Sequence, residues 1–128
     1  MKSFEIALTE EELKMKKRII DYLGSTFKPP KYNDIYMYFQ SREFENVFFS
    51  LVKKGEIIKI DDDIYLSKHQ LNRMIQVMKK FFETHEVLEL SDARAILDSS
   101  RRYVVPYLEY LDKFGYTIRR EKGRLWRK

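Results

Sequence analysis

The chain has 128 residues, of which 44% are hydrophobic and 35% are charged, a balance typical of a folded protein rather than of a disordered tail. It contains no cysteine, which excludes disulfides and thiolate metal sites. No apolar run approaches the roughly 20 residues that cross a bilayer, and no signal-peptide pattern opens the chain. We therefore expect a cytoplasmic protein with no membrane partner.

The positive charge is concentrated at the C-terminal end of the chain. Residues 1–90 carry 15 Lys and Arg against 15 Asp and Glu, whereas residues 91–128 carry 10 against 5. The whole net charge of +5 therefore lies in the last part of the sequence. A surface that serves only solubility does not need this asymmetry, whereas a phosphate-binding surface does.

An internal repeat with a shift of 60 residues runs through the chain. Residues 51–66 align without a gap with residues 111–126, and earlier apolar residues align at the same shift. Because a repeated sequence indicates a repeated structural unit, we expect two modules, at residues 1–67 and 68–128. The matched pairs are Leu51 with Leu111, Lys53 with Lys113, Gly55 with Gly115, Ile58 with Ile118, Tyr65 with Leu125, Phe44 with Val104, Phe48 with Leu108 and Ile35 with Ala95.

The first copy opens with a predicted helix between Thr9 and Gly24. Thr9 and Glu12 have the spacing of a capping box, and Gly24 is a typical helix stop. The spacing of the apolar residues predicts one buried face. We expect that face to consist of Leu13, Ile19, Ile20 and Leu23.

Two further helices and a hairpin complete the first copy. Residues 28–39 enter through two prolines and predict a short aromatic-rich helix. Ser41 is then expected to cap a third helix that ends with Gly55 as C-cap. Residues 56–67 predict two short strands about an Asp-rich turn.

The second copy repeats this order. Residues 67–85 predict the first helix, a short second helix follows Ser91 as its N-cap, and the final residues predict a hairpin. Pro106 leaves two options for the third helix, because proline is tolerated in the first turn and costly further inside. The helix begins near Tyr103 and leaves the preceding arginines in a loop, or it begins at Ser100 and bends.

Three helices followed by a two-stranded hairpin is the order of the winged helix, a helix-turn-helix with a β-wing. The predicted fold class is therefore mainly α with small β-hairpins, arranged as two tandem winged-helix modules. No Gly-, Pro- or Ser-rich linker lies near Ser67, so we expect the modules to pack closely or to share a stiff connection.

The two copies differ in charge at the start of the third helix and at the tip of the wing, where winged helices approach nucleic acid. The first copy has three aspartates at its wing turn, residues 61–63, which would repel phosphate. The second has Arg101 and Arg102 at the helix start and a basic wing, and arginine binds phosphate bidentately. We expect the second module to bind nucleic acid and the first to act as a spacer that orients it. The alternative for these arginines is a solvated surface on which they pair with Glu109, Asp112 and Glu121.

Several residues near the C-terminal end follow the pattern Ser-Arg-Lys/Arg-Tyr, Leu-Glu-x-x-Asp and Gly-x-Thr. They are Ser100, Arg101, Arg102, Tyr103, Leu108, Glu109, Asp112, Gly115 and Thr117. Through this pattern residues 97–124 resemble the final winged-helix module of the bacterial selenocysteine-specific elongation factor (SelB) family. The preceding residues fit only as the tandem module before it. The wing differs from the usual Gly-Asp turn of the family, since Glu121, Lys122 and Gly123 stand there.

The resemblance implies a C-terminal mRNA-binding fragment of a translation factor. In the family, the last module holds the apical stem-loop of the selenocysteine insertion element (SECIS) and so tethers the GTPase part and its selenocysteinyl-tRNA near a UGA codon. The implied partners are this RNA stem-loop, the ribosome and the factor's own N-terminal domains, and we expect a monomer. The residues implied to bind RNA are Ser99, Ser100, Arg101, Arg102, Tyr103, Arg119, Arg120, Lys122 and Arg124.

Two other functions stay open on the sequence. A transcription regulator that binds double-stranded DNA would dimerise and read a palindrome along its third helix, although few polar side chains follow the start of that helix here. A protein-interaction adaptor would use the winged helices as scaffolds.

We expect no enzyme in this chain. The phosphate-binding motif G-x-x-x-x-G-K-[ST] is absent from the sequence, so GTP is expected only in domains outside it, and no cofactor is expected here. His69 and His85 have no partners at ligand spacing, so we expect neither a metal site nor a catalytic residue. The remaining aromatic side chains are expected to pack internally: Tyr32, Tyr36, Tyr38 and Phe39 in the first module and Trp126 beneath the wing.

Overall fold

A computed structural model describes residues 9–127, so residues 1–8 and 128 of the two predicted modules lie outside the described residues. The predicted mainly α fold with two small hairpins is confirmed. Among the described residues, no helix is long and apolar enough to cross a membrane. The elements are α1 (Glu10–Leu23), α2 (Tyr32–Phe39), α3 (Arg42–Lys53), β1 (Ile57–Asp61), β2 (Ile64–Ser67), α4 (Lys68–Phe81), α5 (Leu90–Leu97), α6 (Arg101–Lys113), β3 (Thr117–Arg120) and β4 (Gly123–Trp126).

Helix α1 begins and ends as its sequence predicts. The Thr9 hydroxyl accepts from the backbone N–H of Glu12, the Glu12 carboxylate accepts from that of Thr9, and Gly24 follows the last turn with a φ of 77°. Its buried face, however, consists of Met15, Ile19 and Leu23, while Leu13 is half exposed. The prediction for Leu13 was wrong because Met15, Ile19 and Leu23 follow one another at four-residue spacing, and Leu13, two residues before Met15, lies nearly on the opposite side of the helix.

Helices α2 and α3 also follow the predicted signals. The Ser41 hydroxyl accepts a 2.9 Å hydrogen bond from the N–H of Phe44 and so caps α3. The C-cap of α3 is Lys54 rather than the predicted Gly55, and Gly55 follows it with a φ of 79°. Glycine is favoured at that next position because it has no Cβ and so adopts a left-handed backbone without steric cost.

Each module ends in an antiparallel hairpin. Ile57 pairs with Ser67 in the first wing, and Thr117 pairs with Trp126 in the second. The residue after the first wing begins α4 directly, with Ser67 as N-cap and its hydroxyl accepting from the N–H of Gln70. Ser67 therefore ends the first wing and also caps the next helix.

Helix α5 begins earlier than predicted. Its N-cap is Glu89 instead of Ser91, and the backbone N–H of Glu89 donates 2.9 Å to the carboxylate of Asp92. In this bond the side chain of the third helical residue accepts from the N–H of the N-cap residue, as it does in a capping box. The shift also corrects the repeat, since the buried counterpart of Ile35 is Ala93 and the predicted counterpart, Ala95, is exposed.

Helix α6 takes the longer of the two forms that Pro106 left open. Ser100 is its N-cap, Arg101 and Arg102 are its first two residues, and Pro106 lies inside the helix. Proline removes one backbone donor from the ladder at this point. The rest of the helix is held by its buried side, which consists of Val104, Tyr107, Leu108 and Leu111.

Two groups of buried side chains form the cores. The first lies between α1, α2, α3 and the first wing, and the second lies between α4, α5 and α6. Phe27, Ile64 and Leu66 precede α4 in the chain but pack in the second core. The modules therefore share apolar packing, as the absence of a flexible linker predicts.

Candidate nucleic-acid interface

The start of α6 presents two exposed arginines beside an uncapped helix end. Arg101 and Arg102 occupy the first turn, and their side chains are exposed. Within residues 9–127, the side chain of Ser100 makes no capping hydrogen bond. The N–H of Tyr103 already donates to the Ser100 carbonyl at 3.0 Å, which leaves the N–H groups of Arg101 and Arg102 as the open donors of the first turn. The helix dipole adds positive potential there. This end of α6 is therefore suited to an anionic ligand.

The equivalent helix of the first module differs in this respect. At the start of α3, the hydroxyl of Ser41 already accepts from the N–H of Phe44, and Arg42 is the only arginine in the turn. Glu43 and Glu45 follow it in the same turn. Its capped end and its two carboxylates make α3 a poor counterpart for phosphate.

The segment between α1 and α2 holds both sides of the α6 start. The Ser99 hydroxyl donates a 2.7 Å hydrogen bond to the carbonyl of Phe27, and the Tyr103 hydroxyl donates one of 2.7 Å to the carbonyl of Pro29. Ser99 is only 8% exposed. The structure thus commits two of the predicted site residues, Ser99 and Tyr103, to contacts between the modules.

The surroundings of Tyr103 keep its hydroxyl protonated. Burial raises the pKa of Tyr103 above its ordinary value, the nearby Arg102 opposes the rise, and Asp34 and Asp63 of the first module add to it. The Nζ atom of Lys31 lies 5.5 Å from the centre of the Tyr103 ring. A protonated phenol is a hydrogen-bond donor at neutral pH, as the contact with the first module requires.

The wing of the second module carries three exposed cations. Arg119 and Arg120 end β3, and Lys122 lies in the turn before β4. Within the described part of the chain, none of these three forms an ion pair, and Arg120 donates only to the carbonyl of Arg119. Their charges are therefore available to a ligand.

Arg124, also predicted in the site, lies in an internal ion pair. Its guanidinium donates through Nε and NH2 to the carboxylate of Asp112, at 2.9 and 2.8 Å. The side chain of Arg124 is 12% exposed. The structure thus divides the predicted residues into an exposed set, Arg101, Arg102, Arg119, Arg120 and Lys122, and a set in internal contacts, Ser99, Tyr103 and Arg124. Ser100 is half-buried.

Residues that the sequence did not indicate fix the segment between α1 and α2, which contacts the start of α6. Gln70 donates from Nε2 to the carbonyls of Leu23 and Thr26, and Arg73 donates to the carbonyl of Ser25. Their acceptors are backbone carbonyls more than 40 residues earlier in the chain. No local sequence pattern predicts such contacts, because every residue has a backbone carbonyl and the sequence does not mark which one accepts.

The other predicted features lie away from this surface or pack internally. Trp126 packs at 5.5 Å from the ring of Phe82, as expected for a residue beneath the wing. In the first module Tyr32 packs against five other rings. Tyr36 and Tyr38 are exposed, so the expectation of a fully packed cluster was wrong for these two. A helix of eight residues buries one side only, and Ile35 occupies it.

The fold and this site together define a tandem winged-helix protein whose second module carries an exposed basic surface. Comparison with known proteins shows which family the second module resembles. Residues 80–126 match the family model described as elongation factor SelB, winged helix. The second module is therefore similar to the SelB winged helix, and the resemblance seen in the sequence is confirmed.

A relative of known function shows a similar likeness. The selenocysteine-specific elongation factor of Desulfomicrobium baculatum is 30% identical over 79 residues, which are 62% of this chain and 12% of that protein. The chain thus spans about an eighth of the length of this relative.

Two solved structures share the fold. The mRNA-binding domain of elongation factor SelB from E. coli, solved in complex with SECIS RNA, matches with a TM-score of 0.77 at 20% identity over 94% of this chain and all of that one. A bacterial selenocysteine-specific elongation factor, EF-Sec, matches with a TM-score of 0.74 at 21% identity over 96% of this chain and 20% of that one.

Proposed function

We propose that this chain binds the SECIS hairpin of a selenoprotein mRNA through its second module, as the C-terminal part of a selenocysteine-specific elongation factor. One observation carries the proposal: the start of α6 is uncapped and flanked by Arg101 and Arg102, in the module whose residues 80–126 match the SelB winged helix. The related E. coli domain, which was solved with SECIS RNA, supports it.

The chemistry of the exposed residues suits an RNA loop. RNA hairpins are recognised through phosphate geometry and through bases that leave the stack, because the deep major groove of the stem admits few side chains. The uncapped N–H groups of α6 and the guanidinium groups of Arg101 and Arg102 would bind phosphate or a guanine edge. Arg119, Arg120 and Lys122 of the wing would bind the neighbouring backbone.

The first module serves to orient the second. It contributes Phe27 and Pro29 as acceptors for the residues on either side of the two arginines. In the complete factor, which acts in the cytoplasm, the chain would tether a GTPase and its selenocysteinyl-tRNA beside a UGA codon, with the ribosome and the factor's other domains as further partners. The chain itself acts as a monomer without a cofactor.

The proposal is tested by competition binding across a salt series. A stem-loop RNA of the selenocysteine-insertion type is compared with a hairpin of scrambled loop sequence and with a random DNA duplex. We expect the native loop to bind at least about 10³-fold more tightly, a margin typical of specific recognition. Equal binding of all three, with a slope of roughly −0.7 to −0.9 per phosphate contacted, would reduce the surface to a non-specific phosphate patch.

A further inference from the structure

Asp112 joins helix α6 to both strands of the second wing. Its carboxylate accepts a 2.6 Å hydrogen bond from the Thr117 hydroxyl on β3. The same carboxylate accepts from Nε of Arg124 on β4 at 3.0 and 2.9 Å, and from NH2 at 2.8 Å. One side chain of α6 thus fixes one residue of each strand.

This contact is shielded from water. Thr117 is 2% exposed, and the side chains of Arg124 and Asp112 are 12% and 23% exposed. Charge-assisted hydrogen bonds of this bidentate kind are shorter and stronger than neutral ones, and partial burial reduces their screening by salt. The contact therefore holds a defined geometry, unlike an ion pair on an open surface.

The backbone of Arg124 is fixed as well. Its N–H donates to the carbonyl of Leu88 and its own carbonyl accepts from the N–H of Leu88, both at 2.9 Å. A Cβ added to the preceding Gly123 would lie 2.6 Å from the Leu88 carbonyl oxygen, so only glycine permits this approach. The wing is consequently held on one side by the segment before α5 and on the other by α6.

We propose that Asp112 is a positioning residue for RNA binding, acting through the wing and without touching RNA. It holds the wing at a fixed angle to α6, so that Arg119, Arg120 and Lys122 stay in place relative to a ligand bound at the start of α6. This inference rests on the proposed function, because it names what aligns the two parts of the same RNA-binding surface.

Whether RNA affinity rises or falls when the charge of Asp112 is removed distinguishes a positioning role from simple charge repulsion. A carboxylate near a phosphate-binding surface repels the ligand, so removing its charge raises affinity if charge alone matters. If Asp112 positions the wing, removing its charge lowers affinity instead. Glu109 provides a matched control, since it lies on the same helix, is exposed, and its side chain makes no hydrogen bond among the described residues.

The experiment compares Asp112→Asn with Glu109→Gln in binding to the stem-loop RNA. We expect Asp112→Asn to weaken binding about 10-fold, or about 1.4 kcal/mol, and Glu109→Gln to leave it equal or slightly tighter. In a chain that carries Arg119→Ala, Arg120→Ala and Lys122→Ala, Asp112→Asn should weaken binding less than about 2-fold, because the wing then has none of its three exposed cations. Thr117→Val, which keeps the ion pair and removes one hydrogen bond, serves if Asp112→Asn does not fold.

Two results would overturn the inference. The first is binding by Asp112→Asn as tight as, or tighter than, that of Glu109→Gln. The second is an equal loss with and without the three exposed wing cations, which would mean that Asp112 acts through folding alone. If the unaltered chain fails to bind the RNA, the proposed function fails separately. The wing is then assessed by hydrogen exchange, where amides of residues 119–122 that exchange no faster in Asp112→Asn than in Glu109→Gln contradict the inference.

Discussion

The hydroxyl of Tyr103 donates a 2.7 Å hydrogen bond to the carbonyl of Pro29, which joins the two modules one residue after Arg102. A second pair, from the Ser99 hydroxyl to the Phe27 carbonyl, joins them two residues before Arg101. The two exposed arginines thus lie on a stretch of chain that is fixed at both ends by the first module. This arrangement ties the proposed RNA contacts to the orientation of the modules.

Replacing Tyr103 by phenylalanine tests the hydrogen bond that it donates to the first module. We expect Tyr103→Phe to lower the free energy of unfolding by about 1 kcal/mol, since it removes one partly buried hydrogen bond. Urea denaturation monitored by circular dichroism measures the change. Tyr38→Phe is the control, because Tyr38 is 59% exposed, and it should alter stability by less than about 0.5 kcal/mol. Equal losses in both variants would contradict a role for the hydrogen bond.

Stability should fall at high pH through the buried tyrosines. Burial raises the pKa of Tyr107 above its ordinary value, and its hydroxyl donates to the carbonyl of Phe27. Because the folded state holds this proton more tightly than the unfolded state, its contribution is complete below about pH 10 and is lost as the pH rises towards the folded-state pKa. Each such group contributes a slope of up to about 1.4 kcal/mol per pH unit.

Urea titrations between pH 8 and pH 11 measure that slope. Tyr107→Phe removes one titrating group, so its free energy of unfolding should decline less steeply above pH 10 than that of the unaltered chain. Identical slopes in the two proteins would show that Tyr107 does not carry the effect.

Replacing two arginines of the wing should have different effects, because Arg124 stabilises the fold and Arg119 is expected to bind RNA. Arg124→Ala leaves the carboxylate of Asp112 without its ion pair, and we expect it to lower the free energy of unfolding by about 2 kcal/mol. Arg119→Ala removes an exposed side chain, so stability should change by less than about 0.5 kcal/mol while the salt slope of RNA binding falls by roughly 0.7–0.9. Thermal denaturation and binding across a salt series distinguish the two. The reverse assignment of effects would contradict the site described above.

Glycine 123 should be far less replaceable than Gly115. Gly123→Ala places a methyl group 2.6 Å from the Leu88 carbonyl oxygen at a φ of 149°, and we expect a loss of about 1–3 kcal/mol or more. Gly115→Ala is the control, since its φ of 81° is strained for alanine but nothing lies within 4 Å of the added atom, and a loss of about 1 kcal/mol is expected. Equal losses would mean that the contact with Leu88 does not constrain the wing.

The sequence predicts the elements of this fold better than their exact ends. Capping residues such as Thr9 and Ser41 act on neighbours three residues away, so local pattern suffices to locate the helices that they begin. The predicted start of α5 was wrong because its N-cap, Glu89, is of a residue type that rarely caps helices. Its backbone N–H, rather than its side chain, makes the hydrogen bond at this helix start. The form of α6 could not be predicted, since only the packing of its buried side decides whether a helix tolerates Pro106.

The positive charge of the candidate site could be predicted from the sequence, but which of its residues form internal contacts could not. The excess of arginine near the C-terminus is visible in the sequence, and the structure exposes Arg101, Arg102, Arg119 and Arg120. Arg124 is chemically identical, and only the placement of Asp112 twelve residues earlier decides that its guanidinium faces inward. Similarly, Ser99 and Ser100 are adjacent, yet the carbonyl of Phe27, 72 residues earlier, engages only the first. Such long-range contacts depend on tertiary structure, which composition and spacing do not encode locally.

The most direct test of the RNA-binding role compares the equivalent helix starts of the two modules. Arg101 and Arg42 are each the first residue of a third helix, both are exposed, and alanine removes the same charge from each. Dissociation constants for the selenocysteine-insertion stem-loop are measured for the unaltered chain, Arg101→Ala and Arg42→Ala at one salt concentration. We predict that Arg101→Ala weakens binding by about 1–3 kcal/mol and that Arg42→Ala changes it by less than about 0.5 kcal/mol. Equal losses from both variants, or a greater loss from Arg42→Ala, would contradict the assignment of RNA binding to the second module.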